Sequence, residues 1–369
     1  MKKDKFFFGL KTQIFFGEDC VRENGALLKS LGKKAIIVTG RHSAKACGAL
    51  NDVRNTLLAN GVQSFIFDQV ENNPSMETIQ KAVAMAREEN PNFVIGIGGG
   101  SPLDASKAIA VMLANDGMTV PEMLTNDFDK ALPIVAIPTT AGTGSEATPY
   151  SVILRNDIQT KVSFGNSYTY STFAFVDPKY TYNLNERITV STCVDAFTHV
   201  FEGYLANRST PISDCMAICG IEIFGRIIKK LVVFNLTEED RKSMALLSLL
   251  GGMVIAQAGV TIPHGMGYCY TYYKGIPHGL ANGLIFKEYL KLNSSVAQEK
   301  INRAMSVMGY QTTDDFLRDF HLLVGEPPKL TEEECETFIR QTMLQKGSIA
   351  NTPYPVDEKV IRKLWTHIK

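Results

Sequence analysis

The stretch NFVIGIGGGSPLDASKAIA, residues 92–110, decides the fold class. Its first part, 92–99, is an apolar run of the kind that is buried on both faces inside a parallel sheet. Gly98, Gly99 and Gly100 then let the backbone turn tightly. A helical period opens directly after them. Such a turn places Ser101 and the free N–H groups of a helix start where they can hold phosphate oxygens. The spacing is neither GxGxxG nor GxxxxGKS/T, so the turn alone is equally well read as structural. Asp104 and Lys107 lie three apart on the helix, where Lys107 either serves a diphosphate or pairs with Asp104.

The surrounding chain repeats this grammar. Strands are expected at 33–40, 62–68 and 131–140, and helices at 43–61 and 76–91. Alternation of this kind gives an α/β domain with a mainly parallel sheet, assigned to residues 1–184. Past residue 185 the period changes. Helices are expected at 191–207, 211–234, 238–260, 280–306, 311–321, 331–344 and 357–368, so residues 185–369 read as an all-α domain. NLTEED, 235–240, is a threonine-led helix start with acids in its first turn.

The composition is that of an ordinary globular chain: 369 residues, 45% hydrophobic, 21% charged, with zero formal net charge. No basic block suggests a nucleic-acid or membrane partner. The N-terminal run MKKDKFFFGLKTQIFFG is broken by Lys11 and Gln13, so an edge strand or hairpin is expected rather than a signal peptide. Paired across a subunit boundary, it would support a homodimer. Between Lys242 and Lys274 there is no charged residue. Gly251, Gly252, Gln257, Pro263 and His264 interrupt that stretch, which reads as a buried helix carrying a metal ligand rather than a membrane span. The seven cysteines have no close CxxC pair, which suggests reduced thiols in the cytoplasm and no zinc–thiolate site.

Two further loops complete a candidate nucleotide cleft. PTTAGTGSEATPY, 138–150, follows a strand and offers Thr139, Thr140, Thr143 and Ser145 to a nicotinamide riboside and its phosphates. VTGRHSAK, 38–45, follows the first buried strand, where a carboxylate commonly takes the ribose hydroxyls. Here Gly40, Arg41 and Ser43 stand instead, which suits a 2′-phosphate and favours NADP(H) over NAD(H).

A second constellation lies in the helical half. Asp195 and His199 are four apart in STCVDAFTHVFEGY and so share one helix face. His264 follows the uncharged stretch, and His278 follows Pro277 at an expected helix start. One carboxylate and three imidazoles suit a divalent cation, ferrous iron or zinc, with room for a substrate oxygen. An unpaired Asp195 on an apolar helix face would carry a large desolvation cost, which favours the metal over four separate core residues.

At these residues the chain resembles the iron-containing, or group III, alcohol dehydrogenase family. The resemblance rests on GGGSPLDASKAIA (98–110), PTTAGTGSE (138–146), DPKYTYNL (177–184), STCVDAFTHVFEGYLA (191–206) and PHGLANGLIF (277–286). It implies a Rossmann-like N-terminal domain, a helical C-terminal domain and a cleft between them, a dehydroquinate synthase-like fold. It also implies metal binding by Asp195, His199, His264 and His278, and cofactor contacts at Gly98, Gly99, Ser101, Asp104, Thr139, Thr140, Ser145 and Lys161. The chain departs from the family in three places. Tyr268 stands where many members have a second histidine, Cys193 where they have glycine, and Gly40 where NAD-preferring members have aspartate.

The expected reaction is hydride transfer between NADP(H) and a short aliphatic aldehyde or alcohol of the butanol type. His278 and Tyr268 are the candidate proton-relay residues. Tyr150, Phe164, Tyr268, Tyr272 and Tyr273 either line an apolar substrate pocket or pack in the core. The rivals are a dehydrogenase of 1,3-propanediol or another polyol such as glycerol, a sugar-phosphate cyclase, and a nucleotide-binding protein without turnover. A cyclase would need several basic residues near the ligands, and the uncharged run supplies none.

Overall fold

The computed structural model of the chain describes residues 5–158 and 160–368. Leu10–Leu184 form one compact unit, and Asn185 onward, with the short segment ending at Gly9, the other. In the first unit the strands are β1 (Gln13–Phe16), β2 (Lys34–Thr39), β3 (Gln63–Phe67), β4 (Phe93–Gly98), β5 (Ile134–Pro138), β6 (Ser151–Arg155), β7 (Thr160–Phe164) and β8 (Phe173–Val176). Six of them form a sheet in the order β1-β8-β5-β4-β2-β3, with every neighbour parallel.

Both faces of this sheet are covered, which is why its strands read as unbroken apolar runs. Ile36, Val38, Val94 and Ile134 belong to one buried cluster. Their neighbours Ala35, Ile37, Phe93, Ile95 and Val135 belong to the other, as the two-residue period of a strand requires. Register pairs Val38 with Gly96 and Gly98 with Pro138, so β2, β4 and β5 end on one edge. The chain moves outward from β2 to β3 but back through β4 to β5, so the order reverses between β2 and β4. Open α/β sheets bind ligands at the carboxyl ends beside such a reversal.

Local sequence explains the differences from expectation. The helix expected at 43–61 is two, Ser43–Ala46 and Ala49–Ala59, divided at Gly48 with φ 87°. The hairpin of β6 and β7 was not foreseen. Of the N-terminal run, Gln13–Phe16 is the edge strand, paired with β8. Residues 1–4 lie outside the described residues.

The second unit is helical. Its long helices are Glu186–Leu205, Pro211–Val232, Glu238–Ala258, Ile262–Lys274 and His278–Met308, followed by shorter ones to Ile368. Thr237 caps the third of these, its side chain accepting from the Asp240 N–H in a capping box. Phe197 stacks on Phe224 with centroids 4.0 Å apart, within a cluster that includes Phe201, Phe286, Phe316 and Phe320. The uncharged stretch is not one buried helix. It breaks at Gly259 (φ 70°) and resumes at Ile262, the two parts meeting at 115°. The Ile262–Lys274 helix was missed because Pro263, Gly265 and Gly267 give it poor intrinsic propensity. Packing overrides that: a Cβ on Gly267 would lie 2.1 Å from Asn282 Oδ1, so glycine is needed for the close approach. Among the described residues no single helix is long and apolar enough to cross a membrane.

Candidate metal centre and nucleotide loops

The helical unit gathers its candidate metal ligands from three helices. Asp195 and His199 lie one turn apart on Glu186–Leu205, His264 in the first turn of Ile262–Lys274, and His278 at the start of His278–Met308. Close packing brings these helices together. A Cβ on Gly279 would lie 1.9 Å from the Ser191 carbonyl oxygen, and one on Gly251, in the adjoining Glu238–Ala258 helix, 3.1 Å from His199 Cβ.

Asp195 Oδ1 is the common point. It lies 4.0 Å from His199 Nε2, 3.7 Å from His264 Nε2 and 3.9 Å from His278 Nε2. Tetrahedral ligand atoms bonded at roughly 2.0–2.2 Å stand about 3.4 Å apart, so these separations fit one cation in a slightly open set. The donor atoms of Asp195, His199 and His264 all fall within 4.8 Å of one another, and His278, though 3.9 Å from Asp195 Oδ1, stands outside that group. Among the described residues His264 Nε2, which is buried, has no hydrogen-bond partner, an arrangement a cation satisfies. Three imidazoles and one carboxylate fit ferrous iron or zinc. The side chains of Asp195, His199 and His264 are 4–6% exposed, whereas His278 is 30% exposed. The centre therefore opens on the His278 side, where the Tyr268 ring stacks on the imidazole at 5.5 Å.

Charges tune the site. Burial raises the Asp195 carboxyl, but the three histidines and the Asn282 amide outweigh it and hold it below its usual value. Burial pulls the His264 imidazole down, yet the Glu202 carboxylate, with Asp195, brings it above its usual value. Two residues that sequence reasoning passed over make these contacts. Glu202 Oε1 lies 2.6 Å from His264 Nδ1, and Asn282 Nδ2 donates to Asp195 Oδ1 at 3.2 Å. Spacing could have found Asn282, four residues past His278 on the same helix face, but not Glu202, whose partner His264 lies 62 residues away.

The sheet unit carries the other candidate residues. Gly98 (φ 152°), Gly99 and Gly100 form the turn after β4, and Thr139 to Ser145 follow β5. These loops touch so closely that a Cβ on Gly100 would come within 2.8 Å of Thr143 Cγ2 and one on Gly99 within 3.2 Å of Thr140 Oγ1. Ser101 Oγ accepts from the Asn73 N–H, and Thr143 Oγ1 from the Ser145 N–H. Gly40 is partly buried, while Arg41 and Ser43 after β2 are exposed. Lys45 nearby pairs with Asp68 at 3.2 Å.

Several candidates face inward. Lys107 is fully buried, and its Nζ donates to the Ser145 and Tyr150 carbonyls at 2.7 and 2.6 Å and to Ser145 Oγ at 2.8 Å. Asp104 accepts from Ser145 Oγ at 2.7 Å and the Val152 N–H at 2.9 Å. One helix turn thus clamps the 145–152 loop from within. Burial lowers the Lys107 amine to about 8 against the opposing pull of Asp104, and raises the neighbouring Glu146 carboxyl to about 7. Thr139 and Lys161 are 1% and 7% exposed. Of the aromatic residues read for a pocket, Phe164 is core, packed edge-on against Phe128 at 6.2 Å.

Known proteins resemble the chain over nearly its whole length. The pattern of the iron-containing alcohol dehydrogenase family matches residues 11–178, and that of the C-terminal part of the Fe-containing alcohol dehydrogenase family matches residues 189–367. The crystal structure of an iron-containing alcohol dehydrogenase from Thermotoga maritima superposes with a TM-score of 0.92 at 37% identity, over 99% of both chains. A 1,3-propanediol dehydrogenase of Citrobacter freundii is 30% identical over 372 residues, 95% of each chain. An NADPH-dependent butanol dehydrogenase of Clostridium saccharobutylicum is 29% identical over 367 residues, 96% of this chain and 91% of its own.

Proposed function

The chain belongs to the iron-containing alcohol dehydrogenase family, and from that membership we propose that it interconverts a short aliphatic alcohol and its aldehyde with NADP(H). The observation that carries the reading is the single carboxylate oxygen of Asp195 facing three imidazole nitrogens at 3.7–4.0 Å. Asp195, His199, His264 and His278 would hold ferrous iron or zinc. When bound, the cation supplies Lewis acidity toward a substrate oxygen, and the reduced nicotinamide supplies the hydride.

The chain's own residues do the remaining work. Asp195 is the one anion among the four ligands, so the set leaves a divalent ion with net positive charge. Tyr268 and the partly exposed His278 border the open side, where a substrate enters and where a proton is delivered or removed, directly or through water. Asp104 and Lys107 keep the 145–152 loop in one shape for the nucleotide. Gly98 to Ser101, Thr139, Thr140, Thr143, Ser145 and Lys161 form the proposed cofactor cradle.

NADP(H) is favoured over NAD(H) because residues 40–45 offer Arg41, Ser43 and Lys45 and no carboxylate. The acid that Lys45 pairs with, Asp68, is neutralised in part by that contact. An uncharged aliphatic substrate is favoured because residues 243–273 contain no Asp, Glu, Lys or Arg. The likeness to a 1,3-propanediol dehydrogenase supports a diol as the second reading. We also place the enzyme in the cytoplasm as a homodimer, joined through the free edge of β1.

The test is an aldehyde panel run with NADPH and NADH after separate reconstitution with iron and zinc. Highest kcat/KM for butyraldehyde-sized aldehydes with NADPH supports the reading. Preference for 3-hydroxypropionaldehyde selects the diol, preference for NADH removes the cofactor assignment, and no turnover on any aldehyde overturns the reading.

A further inference from the structure

Glu202 is fully buried and belongs to no ligand set, yet both of its oxygens are committed. Oε1 lies 2.6 Å from His264 Nδ1. Oε2 accepts from the Thr261 N–H and from Thr261 Oγ1, each at 2.8 Å. Thr261 is the residue that opens the Ile262–Lys274 helix, and its own side chain makes no capping bond there. One carboxylate therefore anchors the start of the helix that carries His264 and grips the ring itself.

We propose that Glu202 is a positioning residue that sets the tautomer, orientation and donor strength of His264, and through them the affinity of the metal centre. The geometry is direct. Both carboxylate oxygens serve as acceptors, Oε2 toward Thr261 and Oε1 toward the ring, so Nδ1 carries the ring proton and Nε2 keeps its lone pair. That lone pair is on the atom 3.7 Å from Asp195 Oδ1, where no hydrogen-bond partner stands. A carboxylate on the far nitrogen makes the ring a stronger donor and holds its plane. Fixing the helix start as well prevents the ring from being carried away with its backbone. The contact also explains why an acid is kept at a fully buried position in an apolar helix, where its charge would otherwise be costly. This inference rests on the metal-centre reading above.

The test uses the full-length metal-free protein, titrated with cobalt(II) and with zinc in competition with a chromophoric chelator. Glu202→Gln retains the volume but replaces one of the two acceptor oxygens with an NH2 donor, so the contacts to His264 and Thr261 cannot both be kept. It should weaken metal binding 10–100-fold and shift the visible cobalt spectrum, with nucleotide affinity unchanged. Thr261→Val removes a donor to Oε2 while leaving the His264 contact intact, and should change metal affinity by less than about threefold. A merely structural Glu202 would lower thermal stability in both variants without moving the cobalt spectrum, and that result overturns the proposal. So does a Glu202→Gln variant that binds metal like the unmodified chain. If Glu202→Gln does not fold, histidine-ring correlation spectra of the unmodified zinc-loaded chain decide. One ring with Nε2 on zinc and a strongly deshielded Nδ1 proton, lost in His264→Asn, supports the role, and its absence overturns it. An unmodified chain that takes up neither cobalt nor zinc refutes the metal-centre reading itself, and this inference with it.

Discussion

Asp195 and His264 face each other with Oδ1 and Nε2 3.7 Å apart, too far to share a hydrogen bond and well placed to share a cation. Neither atom is there by chance of surface exposure, since both side chains are about 5% exposed or less. The pair brings two separate helices to one point, and the other candidate ligands, His199 and His278, stand on the same and on a third helix.

Removing one ligand should empty the centre and leave the rest of the chain folded. His264→Ala should lose most of the bound metal, measured by elemental analysis, and nearly all turnover. Nucleotide binding, followed by fluorescence titration, should persist because the cradle residues belong to the other compact unit. Full activity in the metal-free variant would refute the Lewis-acid role.

Cofactor choice should yield to a single charge. A Cβ at Gly40 would meet only the Val70 carbonyl oxygen, at 3.3 Å, so Gly40→Asp fits with a small shift. An aspartate there repels a 2′-phosphate and accepts from ribose hydroxyls. The ratio of kcat/KM for NADPH over NADH should fall about tenfold, near 1.4 kcal/mol. An unchanged ratio would remove the argument from this turn.

Lys107 should prove to be a structural clamp with a functional consequence. Lys107→Met leaves Asp104 buried without the cation that most offsets its burial and strips donors from two loop carbonyls. Urea unfolding should show a loss of about 3 kcal/mol, and the KM for nucleotide should rise more than kcat falls. Stability within about 0.5 kcal/mol of the unmodified chain would contradict the clamp.

Glu146 should impose a pH dependence on stability. Burial raises its carboxyl to about 7 in the folded chain from an ordinary 4.5. Between these values the folded state holds a proton that the unfolded state has released, so its contribution falls as pH rises from 4.5 to 7. Glu146→Gln removes that penalty. The variant's stability advantage should grow across this window, reach at most about 3 kcal/mol, and level off above neutrality. Urea midpoints at pH 5, 6, 7 and 8 test it, and a constant difference would refute it.

Tyr268 separates two roles. Tyr268→Phe keeps the ring stacked on His278 but removes the hydroxyl. As a relay partner, Tyr268 should lose at least about 100-fold in kcat on this change, with an altered pH–rate profile and little change in aldehyde KM. Unchanged kcat would leave the residue as a pocket wall.

Much of this architecture could be read from the residues because burial on both faces left a simple signal. The strands at Lys34–Thr39, Phe93–Gly98 and Ile134–Pro138 are continuous apolar runs bounded by turn residues, and His278 follows a proline that marks a helix start. The Ile262–Lys274 helix was hidden because its stability comes from contacts such as Gly267 with Asn282, which no local period encodes. Glu202 was hidden for a related reason. A lone acid in an apolar helix signals that it has a partner but not which one, and His264 lies 62 residues away. The direction in which Lys107 points was equally open in one dimension, because both of its readings require the same spacing from Asp104.

The most direct measurement is anomalous diffraction at the metal edge from crystals of the iron- or zinc-loaded chain. The account predicts one peak per chain, within about 2.0–2.2 Å of Asp195 Oδ1 and of Nε2 of His199, His264 and His278. No peak there, or a peak bound by other side chains, would contradict it.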